Sequence, residues 1–176
     1  SLALTGDTAS ASNAGSIGTL TVSAGDFDNQ SGGLVSGKTT ISGGSLTNNG
    51  TMSDLDASGS STVVDNATGG KITGAVTVSD SAQLLAMGGA FGGNVTVLGD
   101  TGAGAGVLTN HGLVESAASG AAVTVTVSDT FTNTGTLQSS DGALTIEADT
   151  IVLSGGSVTN GVTLKGALES SGDLTL

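Results

Sequence analysis

Few residues in this chain have chemical reach, and their placement bounds what it can do. His111 is the only histidine, and there is no cysteine. A nucleophilic triad needs an imidazole beside its Ser or Cys. His111 instead lies in the run Leu108-Thr-Asn-His-Gly-Leu-Val114, at a position that Asn49 and Thr134 fill in sister runs. It reads as a turn residue. Zinc, which wants thiolates or several imidazoles, has no ligand set. Carboxylates are more plentiful, and Asp26/Asp28, Asp54/Asp56 and Asp141 with Glu147 form pairs. A glycosidase needs two carboxylates about 5–9 Å apart, in a groove where aromatics stack against sugar rings. The chain has no Trp or Tyr. A lyase for acidic polysaccharide wants cations against the uronate carboxylates. There is no Arg, and Lys38, Lys71 and Lys165 are scattered. The reading is a non-enzyme without catalytic residues.

Calcium is the strongest ligand candidate. Asp26 and Asp28 with Asn29, and Asp54 with Asp56, offer hard oxygens at alternating positions. Neither an EF-hand loop nor a Gly-Gly-x-Gly-x-Asp nonapeptide accompanies them, so solvated turn acids are the competing reading. No other cofactor is expected. Gly99-Asp-Thr-Gly-Ala-Gly-Ala-Gly106 is glycine-rich, but no Lys follows it; it reads as a loop rather than a phosphate cradle.

The elements that position these residues follow from composition and pattern. Of 176 residues 31 are Gly, Pro is absent, and the aromatics are Phe27, Phe91 and Phe131. A core must therefore come mainly from Val, Leu, Ile and Ala in many thin layers. The formal net charge is −12. Such an acidic, Arg-free surface repels phosphate backbones and anionic bilayers, which argues against nucleic-acid and membrane-surface partners. No apolar run approaches the roughly 20 residues of a membrane span, and no signal-peptide pattern is present; a secreted chain would have its leader elsewhere. High Gly and net charge also suit disorder, but regular apolar runs oppose it. Ile17-Gly-Thr-Leu-Thr-Val22, Ala75-Val-Thr-Val78, Val123-Thr-Val-Thr-Val127 and Ala143-Leu-Thr-Ile146 alternate apolar with Thr, the period of half-buried strands. Gly-Gly, Ser-Gly and Asn-Gly pairs between them turn the chain.

A repeat organises these strands. Leu46-Thr-Asn-Asn-Gly-Thr-Met52, Leu108-Thr-Asn-His-Gly-Leu-Val114, Phe131-Thr-Asn-Thr-Gly-Thr-Leu137 and Val158-Thr-Asn-Gly-Val-Thr-Leu164 all begin apolar-Thr-Asn and end on an apolar residue. With looser copies, the repeated Asn falls at 29, 48, 66, 110, 133 and 160. The gap of 44 from 66 to 110 fits two coils, one lacking Asn, with Gly88-Gly-Ala-Phe-Gly-Gly93 in that coil. A repeat near 20 residues with several short strands and no helix predicts coils that stack to share one core. The expected fold is all-β: a right-handed parallel β-helix of roughly 7–9 coils, with strands about 4.8 Å apart. Residues 17–176 form it, and 1–16 are an N-terminal strand and a Gly/Ser/Ala-rich lead-in. A β-sandwich is the alternative, but it gives no reason for the motif to recur. Expected inward residues are Ile41, Leu46, Met52, Val76, Val78, Val95, Val97, Leu108, Val125, Phe131, Leu137, Leu144, Ile146, Leu153, Val158 and Leu164. Asn48, Asn110, Asn133 and Asn160 are expected at equivalent corners, hydrogen-bonded as a ladder rather than to a ligand.

Ile41-Ser-Gly-Gly-Ser-Leu-Thr-Asn-Asn-Gly-Thr-Met52 and Leu153-Ser-Gly-Gly-Ser-Val-Thr-Asn-Gly-Val-Thr-Leu164 resemble repeats of autotransporter passenger domains of the diffuse-adherence type. Phe131-Thr-Asn-Thr-Gly-Thr-Leu-Gln-Ser-Ser-Asp-Gly-Ala-Leu-Thr-Ile146 is similar to repeats of filamentous haemagglutinins. The resemblance covers most of the chain from about residue 17 and is one of pattern and composition. It implies secretion to a bacterial cell surface and an adhesive or scaffolding role. The expected function is a structural or adhesive segment displaying loops from a rod, with a host-cell, surface or glycan receptor as partner. A polysaccharide-binding or polysaccharide-degrading β-helix, including a tailspike-like module, is the alternative. The ends, Ser1-Leu-Ala-Leu-Thr5 and Gly172-Asp-Leu-Thr-Leu176, alternate like strands without a cap. They are expected to self-associate, or to continue into a longer solenoid.

Overall fold

The computed structural model describes residues 1–80, 82–86, 89–93, 95–97, 107–111, 113–116, 122–139, 142–159 and 161–170. Within them the chain winds into a β-solenoid, and every strand pairing is parallel. Each coil has three short strands, one per face. Face one stacks Leu2–Leu4, Leu20–Val22, Thr39–Ile41, Leu55–Ala57, Val76–Val78, Val95–Val97 and Val123–Val127. Face two stacks Ser10–Asn13, Asp26–Asn29, Gly44–Asn48, Thr62–Asn66, Gln83–Ala86, Val107–Asn110 and Thr130–Asn133. The long strand Leu144–Leu153 belongs to both, pairing with Val123–Val127 through its first half and Thr130–Asn133 through its second. Face three is an eight-stranded sheet that runs from Ser16–Ile17 to Ser157–Val158. Val162–Ser170 pairs along both halves of Leu144–Leu153.

Alternation within each strand decides what is inside. On face one Leu20, Leu55, Val76, Val95, Val125 and Ile146 fall in one inward file; on face two Phe27, Leu46, Val64, Leu108, Phe131 and Ile151 do. Face three adds Val35, Met52, Ile72, Phe91, Val114 and Leu137. A coil buries too little apolar surface alone, but each file is covered by the coils on either side. The three phenylalanines are all buried within this shared core.

Of the expected inward residues, Leu164 is only partly buried. It lies in the last described strand, so its file is covered from one side. The Val97 side chain lies outside the described residues. The boundary drawn at residue 17 marks no structural change. Leu2–Leu4, Ser10–Asn13 and Ser16–Ile17 pair in register with the second coil and are themselves the first coil. Small Ala11 in the face-two file, beside many Ser and Gly, conceals this coil from pattern reading.

Glycine makes the corner between faces one and two. Gly25 and Gly44 both have φ above +80°, where a side chain is strained. A Cβ on Gly44 would also lie 2.0 Å from the Gly25 carbonyl oxygen. In the second and third coils the backbone stacks too closely here for any other residue, whereas the fourth coil carries Thr62 opposite Gly44.

Candidate functional site

The most ordered polar feature is the corner between faces two and three. There the last residue of the face-two strand is Asn in most coils, and its side chain turns inward. Asn13, Asn29, Asn48, Asn66, Asn110 and Asn133 are all buried. Burying an amide without partners costs several kcal/mol, so their bonding is decisive. Asn13 Nδ2 donates to Asn29 Oδ1 at 2.9 Å, Asn29 Nδ2 to Asn48 Oδ1 at 2.8 Å, and Asn48 Nδ2 to Asn66 Oδ1 at 2.8 Å. After a break, Asn110 Nδ2 donates to Asn133 Oδ1 at 2.8 Å.

The same amino groups also bond across the corner. Asn13 donates to the Leu34 carbonyl, Asn29 to Thr51, Asn48 to Lys71, Asn66 to Ala90 and Asn110 to Thr136. Each acceptor begins the face-three strand one coil further on. The ladder therefore ties face two to face three and fixes coil-to-coil register. It has a single polarity. Reversing Asn48 alone would gain contacts of 3.3 Å with the Gly50 carbonyl and the Lys71 N–H. It would also set its nitrogen 2.8 Å from Asn29 Nδ2 and its oxygen 2.8 Å from Asn66 Oδ1. Those like-to-like contacts outweigh the gain, so the amides turn together.

Sequence reasoning expected Asn48, Asn110, Asn133 and Asn160 at equivalent corners; the first three lie at this one, and Asn160 lies outside the described residues. It missed Asn13, whose Asn13-Ala-Gly-Ser-Ile17 run carries only the Asn and the later apolar residue. It also took the glycines beside the ladder only as turn formers. A Cβ on Gly50 would lie 2.4 Å from the Gly33 carbonyl oxygen and 2.7 Å from Asn29 Nδ2. On Gly70 it would lie 2.7 Å from Asn66 Oδ1. These positions admit only glycine: the nearest atom to each Cβ is a backbone carbonyl oxygen, that of Asn48 at 2.0 Å for Gly70, and the buried amides fill the space beside it.

The acids do not gather. Asp26 and Asp28 lie on face two, Asp56 on face one and Asp54 just before that strand, so the calcium candidates split into two separate pairs. Each is engaged by a neighbouring coil. Ser45 Oγ donates to Asp26 Oδ1 at 2.5 Å, and Asn49 Nδ2 to Asp28 Oδ1 at 3.3 Å. The Ala75 N–H donates to Asp54 Oδ1 at 2.9 Å, and Lys38 pairs with Asp56. That ion pair is solvent-exposed and contributes little. Among the described residues no group of three or more His, Cys, Asp or Glu converges. Asp26 and Asp28 do share a shallow depression with the hydroxyls of Ser10, Ser12, Ser45 and Thr47.

Glu147 is exposed on face one, beside Thr126 and Lys165; Asp141 and Gly99–Gly106 lie outside the described residues. His111 is exposed, its Nδ1 2.6 Å from Thr134 Oγ1. It stacks on the sister position as a turn residue does. Burial on face two raises the pKa of Asp65, and its Oδ1 has no hydrogen-bond partner. Compared with protein-family models, curated proteins and solved structures, the chain matches none.

Proposed function

We propose that this chain is a structural or adhesive segment of a secreted bacterial surface protein, a rod that presents its outer faces and loops to a receptor. The observation that carries the reading is the uniform coil. The same inward files recur from coil to coil and the Asn corner in most of them, while outward positions are mostly Ser, Thr, Asp and Gly. Such a repeat builds length and an even polar surface. The Asn ladder spends its side chains on internal register. The repeats' resemblance to autotransporter passengers and filamentous haemagglutinins points the same way. Self-association belongs to this reading as well. Among the described residues Val162–Ser170 pairs only with Leu144–Leu153, and Leu168, in the inward file above Ile151, is 56 % exposed. An open strand edge accepts a further strand.

Beads coated with the purified chain test the proposal. They should bind cultured epithelial cells or a glycan array several-fold above albumin-coated beads. Beads no stickier than the control would contradict it, as would release of saccharide fragments from polysaccharides by the chain. A glycan-binding reading has one observation in its favour, the Asp26/Asp28 depression. Binding lost in Asp28→Asn would assign the contact to that face.

A further inference from the structure

The Asn ladder and the face-two pairing both thin at one level of the rod. Asn66 donates to the Ala90 carbonyl, and the next coil offers it no amide, since Ala86 follows Leu85 opposite Asp65. Ala86 is also the partner of Asn110. At that step the described register covers only Leu85↔Thr109 and Ala86↔Asn110. By contrast, four residues pair between Asp26–Asn29 and Gly44–Asn48, and four between Val107–Asn110 and Thr130–Asn133.

A solenoid coil contacts only its neighbours, so cooperativity passes through each interface in turn and fails first at the weakest. We propose that the rod is two cooperative blocks, coils one to four and coils six onward, joined through the fifth coil at a seam beside Ala86. The proposal rests on this geometry and is independent of the adhesive reading.

Native-state hydrogen exchange of the full chain, read by mass spectrometry, tests it. Asn48→Ala should speed exchange of amides at 20–66 by about thirtyfold or more and leave those at 123–153 nearly unchanged. Phe131→Ala should do the reverse. Either substitution speeding both blocks equally would overturn the proposal. In Ala86→Asn, which restores an amide at the break, the blocks should exchange at a common rate. Two rates persisting in that variant would overturn the assignment of the seam to the missing amide.

Discussion

The first four coils and the last described ones close the same corner with different chemistry. In the lower coils an inward amide caps each face-two strand, from Asn13 through Asn29 and Asn48 to Asn66. Near the top the file changes: Leu153 stands opposite Asn133 and is buried. There one ten-residue strand, Leu144–Leu153, runs through faces one and two, where lower coils break at Gly25 and Gly44. An apolar file gains energy from burial but tolerates imperfect register. An amide file gains little net energy, yet a slip strands buried donors and acceptors. The comparison teaches that the coil geometry accepts either, and that the Asn corner chiefly specifies alignment.

The largest expected effect comes from the apolar side. Phe131→Ala in the upper coils should cost about 3–5 kcal/mol in denaturant unfolding, and Phe27→Ala a similar amount in the lower. Similar costs show that apolar burial is equivalent in the two regions; a cost under about 1 kcal/mol at either would break that equivalence. Next comes the ladder. Asn48→Ala removes the ladder partner of the amide on each side and should cost about 2–4 kcal/mol, whereas Asn133→Leu, beside Leu153, removes the ladder partner of Asn110 and the bond to the Gly135 carbonyl and should cost about 1–2 kcal/mol. Equal costs would show that the amides act singly rather than as a file.

Much of this architecture was legible in the sequence. Recurrence of apolar-Thr-Asn exposed the coil, and the double gap between Asn66 and Asn110 located the coil that lacks Asn. Pattern cannot separate adjacent strands lying on different faces, which is why Asp26/Asp28 and Asp54/Asp56 looked equivalent. Nor can it tell which Thr of Lys38-Thr-Thr-Ile41 points inward. Thr39 does, in file with Leu20 and Leu55. It is fully buried, and its Oγ1 has no partner.

That orphan hydroxyl gives a smaller prediction. Thr39→Val should stabilise the lower coils by about 1 kcal/mol, read as a raised Tm; a lowered Tm would mean that the hydroxyl bonds. The smallest effect concerns Asp65. Its pKa is raised by burial, so the folded chain takes up this proton more readily than the unfolded one. Its penalty is complete above the raised pKa and fades as pH falls towards the ordinary carboxylate range. Asp65→Asn should therefore raise Tm at pH 7 and progressively less towards pH 4. A gain that is constant across that range would point to packing instead of charge.

The coil-by-coil Asn file is tested most directly by NMR of the side-chain amides. The account predicts slow solvent exchange for the NH2 groups of Asn29, Asn48 and Asn110, with cross-peaks from each to the next Asn in the file. Asn amides that exchange as fast as those of a free peptide, without cross-peaks between coils, would contradict it.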